Sequence, residues 1–314
     1  MRQGRNRLIQ RAKTCLILVT VAAISCGCGG GAAITGHTVV APTQRPVAKE
    51  ATREELLDRY NAIVYGTQSL NATVQMKPTA GSKYSGVIDE YHEVKAFLLI
   101  ARPAQIRVIG QAPVVGTTVF DMTSDGKTFR VSIPPKHKFM VGPVATDHTS
   151  SKPIENLRPQ HLLDALLWPA IRKEEATYLR EFNDESARYY VLTVLRGGYQ
   201  TEVLREIWFD RADLQVARLQ TFGPKGVLLS DVHFSDWQPV DNPASPGAPA
   251  PAANGMALFP RAIRISRPHD DYQLDLQVTK ITLNEGITAD RFKLEQPEGS
   301  ELVQVGDATE NKQP

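Results

Sequence analysis

The chain has 314 residues, 42% of them hydrophobic, with 36 Lys plus Arg against 34 Asp plus Glu. Five of those cations and no acid fall within residues 1–25, so the remainder holds 31 basic against 34 acidic side chains; its formal charge of −3 gives no electrostatic case for a nucleic-acid partner. All three cysteines precede residue 29, which excludes a disulfide framework and leaves about 290 residues to fold by apolar burial, as one large β domain or two smaller ones.

Residues 1–13, MRQGRNRLIQRAK, contain Arg2, Arg5, Arg7, Arg11 and Lys13 and no acid, and TCLILVTVAAIS then runs twelve residues without a charge. A membrane-spanning helix needs about 20 apolar residues, whereas a basic start followed by a short apolar run is the pattern of a secretory signal. The stretch Ala23-Ile24-Ser25-Cys26 that follows resembles the bacterial lipobox, in which a cysteine becomes the first mature residue and is acylated. Gly27-Cys28 offers a second register, so Cys28 stands as the alternative anchor, while Cys15 is removed with the signal in either case. A Cys26–Cys28 disulfide would be strained and would constrain almost nothing, and no second Cys or His pair stands at zinc spacing. The resemblance implies a lipoprotein signal peptide over 1–25 and an N-acyl, S-diacylglycerol-modified cysteine. Three acyl chains, at about 0.8 kcal/mol per buried methylene, would make an effectively permanent anchor.

Residues 26–51 then read as the lipidated N-terminus and a flexible tether of small, polar and proline residues. Thr52-Arg53-Glu54-Glu55 matches a capping box, and Leu56, Leu57, Tyr60, Ile63, Val64 and Leu70 draw one stripe on a helix of about five turns. From about residue 72 the period changes to two: Val74 and Met76, Ile106 and Val108, then Phe120 and Met122 before Ser124-Asp125-Gly126-Lys127, a strong hairpin signal. Phe129, Val131 and Ile133 follow, and Pro134-Pro135 stops that strand. Leu162, Leu163, Leu166 and Leu167 share the face of a second helix, with Pro159 in its first turn and Pro169 beyond its end.

A meander of consecutive strands is expected from Tyr189 to Trp237, interrupted by a disordered Pro/Ala loop over 239–257. Pairing resumes at Ile263 and Ile265, turns at Pro268-His269-Asp270-Asp271, and slips phase at Lys280-Ile281 as a bulge would. The tail over 306–314 is polar. The expectation is a mainly β (α+β) fold of about eleven strands, with the N-terminal and mid-chain helices against the concave face of a curled sheet.

The order of export signal, capped helix and meander, with FDMTSDGKTFRVSIPPKHKFMVGP (120–143), NLRPQHLLDALLWP (156–169) and LREIWFDRADLQVARLQTFGPKG (204–226), resembles the LolA/LolB-like lipoprotein-carrier superfamily. That resemblance covers most of residues 50–305 and implies, as a domain over 52–305, an open, half-rolled antiparallel β-barrel holding acyl chains in an apolar cavity. With a lipidated cysteine followed by Gly27, it further implies anchorage to the outer-membrane bilayer facing the periplasm, lipid or lipoprotein acyl chains as cargo, and a periplasmic carrier as partner. Phe97, Leu99, Ile106, Val108, Phe129, Val131, Ile207 and Phe209 are the candidate cavity residues. A protein-binding module or envelope sensor on the same fold is the alternative.

Signatures of chemistry are absent from the sequence. No Gly-x-Ser-x-Gly and no Gly-x-x-x-x-Gly-Lys occurs. Glu90-Tyr91-His92-Glu93 would divide its side chains between the two faces of a strand, and Lys136-His137-Lys138 reads as a solvated turn. No catalytic residue, metal or cofactor other than the covalent lipid is expected.

Overall fold

The computed structural model describes residues 46–82, 87–145, 156–184, 187–197, 201–243 and 255–305. Its described residues from Pro46 onward form one compact unit. In chain order these are helix α1 (Arg53–Gly66), strands β1 (Ser69–Ser82), β2 (Val87–Glu90), β3 (Val94–Ala101), β4 (Gln105–Gln111), β5 (Thr118–Ser124), β6 (Thr128–Ile133) and β7 (Lys138–Pro143), and helix α2 (Pro159–Leu166). Then come β8 (Glu175–Asn183), β9 (Arg188–Arg196), β10 (Glu202–Asp210), β11 (Val216–Phe222), β12 (Leu228–Asp241), β13 (Met256–Arg267), β14 (Tyr272–Leu283) and β15 (Glu301–Gln304).

All fifteen strands belong to one open sheet, in the order β15-β7-β6-β5-β4-β3-β1-β14-β13-β12-β11-β10-β9-β8, with β2 hairpinned onto the far end of β1. Two meanders, β3–β7 and β8–β14, are joined through β1, which pairs with β3 on one side and β14 on the other. The half-barrel class expected from the sequence is the one observed; the strand count among the described residues is higher, fifteen against about eleven, and two of the extra strands, the short β2 and β15, carry too few alternating residues to stand out.

Local chemistry accounts for the joints. Asp125 accepts backbone bonds from Lys127 and Thr128, both 2.8 Å, and Gly126 takes the positive φ of 87° that closes the β5–β6 hairpin. Gly110 is required for a different reason: a Cβ there would come within 2.4 Å of the Phe120 ring on the neighbouring strand. The bulge between β1 and β14 falls where the phase slips, since Thr73 pairs with Lys280 but Val74 with Val278. The first helix is shorter than its stripe suggested. It ends at Gly66, and Leu70 belongs to β1. The Pro/Ala stretch is also more ordered at its ends, because Pro239, Val240 and Asp241 pair with Leu258, Ala257 and Met256. Residues 244–254 and the tail over 306–314 lie outside the described residues, as do Cys26 and Cys28.

The sheet's two faces differ. One, here the inner face, packs α1 and α2 into a single apolar core with Leu98, Ile100, Ile106, Val108, Ile207 and Phe209 among its floor residues. The outer face of β4 and β5 is crossed by the chain after β14: Phe292 is buried there, and its carbonyl accepts a 2.7 Å bond from the Thr123 hydroxyl. No helix among the described residues is long and apolar enough to cross a membrane.

Candidate functional site: the helix-covered inner face

Helix α1 begins at the expected capping box. The Thr52 hydroxyl accepts from the Glu55 amide at 3.2 Å, and the Glu55 carboxylate accepts from the Thr52 amide at 2.7 Å. Leu56, Tyr60 and Val64, four residues apart, bury against the sheet. Helix α2 opens with Pro159 at a position where no intrahelical donor is needed and buries Leu162, Leu163 and Leu166.

The two helices act as one cover because the segment after α2 is tied to α1. The Tyr60 ring stacks on Trp168 with centroids 5.6 Å apart and planes 8° from parallel. The Tyr60 hydroxyl donates to the Pro169 carbonyl at 2.9 Å, and the Asn61 amide brackets Ile171, accepting from its N–H (2.8 Å) and donating to its carbonyl (3.1 Å). Trp168 in turn packs edge-on to Phe234 at 5.0 Å and to Trp237 at 6.4 Å on β12. Beneath the same segment lies a buried ion pair: Arg205 donates to Glu175 at 2.8 Å, with side chains 8% and 5% exposed, and to the Ala170 carbonyl at 3.0 Å.

The C-terminus of α1 is held by the sheet. The last carbonyls of a helix have no intrahelical donor and carry the negative end of its dipole, and α1 has no basic residue in its last turn. Arg102, in the β3–β4 turn, supplies the missing charge. Its Nε donates to the Thr67 carbonyl at 2.9 Å, and its Nη2 donates to Val64 at 3.2 Å and to Trp168 at 2.9 Å. One guanidinium therefore joins sheet, α1 and the end of α2. Burial lowers its pKa, and no carboxylate among the described residues offsets that. Asn284 and Asn242 add bonds to the Gly66 carbonyl at 2.8 and 3.3 Å.

A cavity of about 30 Å³ remains beside this latch, lined by Ile63, Val64, Arg102, Trp168, Trp237 and Leu258 among others. That is about one water's share of liquid volume, whereas ligand pockets run to about 300–1,000 Å³. The helices themselves fill the space above the sheet's inner face. On the outer face an open cleft of about 350 Å³ lies between Arg130 and Phe139 and the crossing chain at Lys293–Gln296.

Six of the eight residues expected to line a cavity lie on the inner face. Ile106, Val108, Ile207 and Phe209 are fully buried in the core under the helices; Val131 packs against it, and Phe129 lies beneath the Arg158 guanidinium at 5.0 Å. Phe97 and Leu99 face the other way. Leu98 and Ile100 pair with Val108 and Ile106 on the inner side, which turns Phe97 and Leu99 outward, Phe97 beneath the Lys95 ammonium at 5.1 Å. None of the eight lines the small cavity. The residues missed were Arg102 and Trp237; Trp168 was visible only as a neighbour of the second helix. Glu90–Glu93 and Lys136–Lys138 are exposed, and no group of three or more His, Cys, Asp or Glu suited to a metal occurs among the described residues.

Residues 46–51, expected as part of the tether, are bonded to the sheet. Lys49 donates its N–H to the Arg211 carbonyl at 2.7 Å, Arg211 pairs with Glu50, and the Tyr190 hydroxyl donates to Glu50 at 2.8 Å, so residues 46–51 are strapped to β9–β11.

These features define a class, an open, almost wholly antiparallel half-barrel whose inner face is covered by two helices. Among solved structures the chain is similar to a DUF1329 family protein from Desulfovibrio piger, at 13% identity over 76% of this chain and 94% of the other, with a TM-score of 0.48. It is similar to a LolA superfamily protein from Nitrosomonas europaea (13% identity, 78% and 99% covered, TM-score 0.45) and to a domain assigned to outer membrane lipoprotein sorting from Vibrio parahaemolyticus (11% identity, 76% and 95% covered, TM-score 0.45). At these identities the likeness is one of fold. No protein-family model matches the chain, and no curated protein matches its sequence significantly.

Proposed function

We propose that this chain is an envelope lipoprotein that shelters the acyl chains of lipids or lipoproteins between the sheet's inner face and helices α1 and α2, without covalent chemistry. The observation that carries this reading is the construction of the cover. A continuous apolar wall is closed by two short helices that the sheet grips through one guanidinium and an aromatic cluster. Rotating them away would expose a surface on which each buried methylene of a lipid gains about 0.8 kcal/mol. Acylation at Cys26, or Cys28 in the second register, would hold the body at the outer membrane, with residues up to 45 as the leash. The β4–β5 tip suits contact with a bilayer, since Val114 and Val115 are 95% and 73% exposed.

One observation favours the alternative of a protein-binding module: the cavity beside the latch is only about 30 Å³. Native mass spectrometry of the mature chain extracted from a bacterial envelope separates the two. Non-covalent adducts of phospholipid or acylated-peptide mass support the carrier reading. A mass that stays free of adducts after incubation with lipid rejects it in favour of a protein partner.

A further inference from the structure

The two edges of the open sheet are treated differently. At one end β15 covers β7, pairing Glu301–Gln304 with Lys138–Val141. At the other end β8 is the last strand, nine residues long, with neither Lys nor Pro to blunt it. Its N–H and C=O groups point outward at odd positions. The Asp184 amide donates to the Ala187 carbonyl, and Arg188, opposite Asn183, turns its own carbonyl to the Arg211 amide on the β10 side. Glu175, Thr177, Leu179, Glu181 and Asn183 therefore present the free edge. Among the described residues these outward groups make two bonds, a 3.4 Å contact from exposed Arg53 to the Thr177 carbonyl and, at the strand's start, a 3.1 Å bond from the Glu175 amide to the Arg172 carbonyl. Tyr178 and Phe182, 61% and 38% exposed, stand on the outer face of this strand, with Arg180 between them over the Trp208 ring.

We propose that β8 is the interface for a second copy of this chain, paired antiparallel about a two-fold axis at Leu179. Leu179 is a hydrogen-bonding position, so an axis there joins the two copies of Leu179 by a pair of backbone bonds. In that register Thr177 faces Glu181, Glu175 faces Asn183 and Ala176 faces Phe182, while Tyr178 faces Arg180, whose guanidinium then lies between Trp208 and the other copy's aromatic ring. No two like charges are opposed at any of the nine positions. The pairing joins two half-barrels into one continuous sheet and buries the longer of the two terminal edges, nine residues in β8 against four in β15 among the described residues. It is independent of whether the inner face takes lipid.

The test is sedimentation equilibrium of the full chain in detergent. The unsubstituted chain should be dimeric at tens of micromolar. Tyr178→Lys, which sets a cation against Arg180 at an exposed position, should weaken the dimer at least tenfold, whereas Tyr178→Glu should leave it as tight or tighter. In Leu179→Cys the paired positions come within disulfide reach, about 5.5 Å between Cα atoms, so mild oxidation should give a dimer whose disulfide maps to position 179, a link the unsubstituted chain cannot form. A monomer at 100 micromolar, or a dimer indifferent to the charge placed at 178, overturns the proposal.

Discussion

Replacing Arg102 by Met should loosen the two helices and leave the sheet intact. The substitution removes three charge-assisted bonds, to Val64, Thr67 and Trp168, of a kind that contributes up to about 1.5–3 kcal/mol each in mutational series. Two effects reduce that sum. The buried guanidinium no longer has to be held out of water, the cost that depresses its pKa. The adjoining 30 Å³ cavity can also admit a water to the released carbonyls. A net loss of about 2 kcal/mol falls on the docking of α1 and α2, a roughly 30-fold rise in the opening equilibrium at about 1.4 kcal/mol per decade. Hydrogen exchange reads it directly. Amides of 53–66 and 159–171 should exchange roughly 30-fold faster, with β1 and β14 unchanged. Lys at 102 should fall between, because a point charge cannot span three carbonyls. Unchanged exchange in both helices, or equal acceleration of helices and sheet, would refute the latch.

Two further outcomes follow from burial and charge. Burial pulls the pKa of Asp231 up, but the bonds it accepts from Arg218, at 2.7 and 2.5 Å, and the pairing with His233 outweigh this and leave it at about 2. Its folded pKa thus lies below the unfolded value of 3.8, so the stabilisation is complete above about pH 4 and is lost as pH falls towards 2. Denaturant melts from pH 7 to 2 should show Asp231→Asn costing about 1–2 kcal/mol at neutral pH, after allowance for screening, and little near pH 2. Ile106→Ala should cost about 2–5 kcal/mol in urea unfolding, because Ile106 is fully buried under the helices; Phe97→Ala, on the half-covered outer face, should cost about 1 kcal/mol, and equal losses would contradict the assignment of faces.

The parts of this fold that were legible in the sequence are those set by neighbours along the chain. The capping box at Thr52, the Pro159 and Pro169 limits of α2, the Asp125-Gly126 hairpin and the bulge near Lys280 are short-range, and each lies where its pattern placed it. Alternation gives two faces but not which one is inside. Ala96, Leu98 and Ile100 fill the inner face of β3, yet Leu99 is also buried, on the outer face. A strand apolar on both sides carries no sign to separate Phe97 from Leu98. The latch was illegible for a related reason. Arg102 acts on carbonyls at positions 64, 67 and 168, and backbone acceptors leave no trace in residue type. The strap over 46–51 was missed in the same way, because Glu50 finds Arg211 only across the folded sheet.

The proposed carrier function requires an acyl chain to bind beneath the two helices. The most direct measurement is photo-crosslinking of the purified chain with a diazirine-bearing phospholipid, followed by peptide mapping. Labels on α1, on the Trp168 segment and on inner-face residues such as Phe234 and Val108, with more label in Arg102→Met than in the unsubstituted chain, are the predicted result. Labels confined to the outer face or the β4–β5 tip, or none above a lipid-free control, would contradict it.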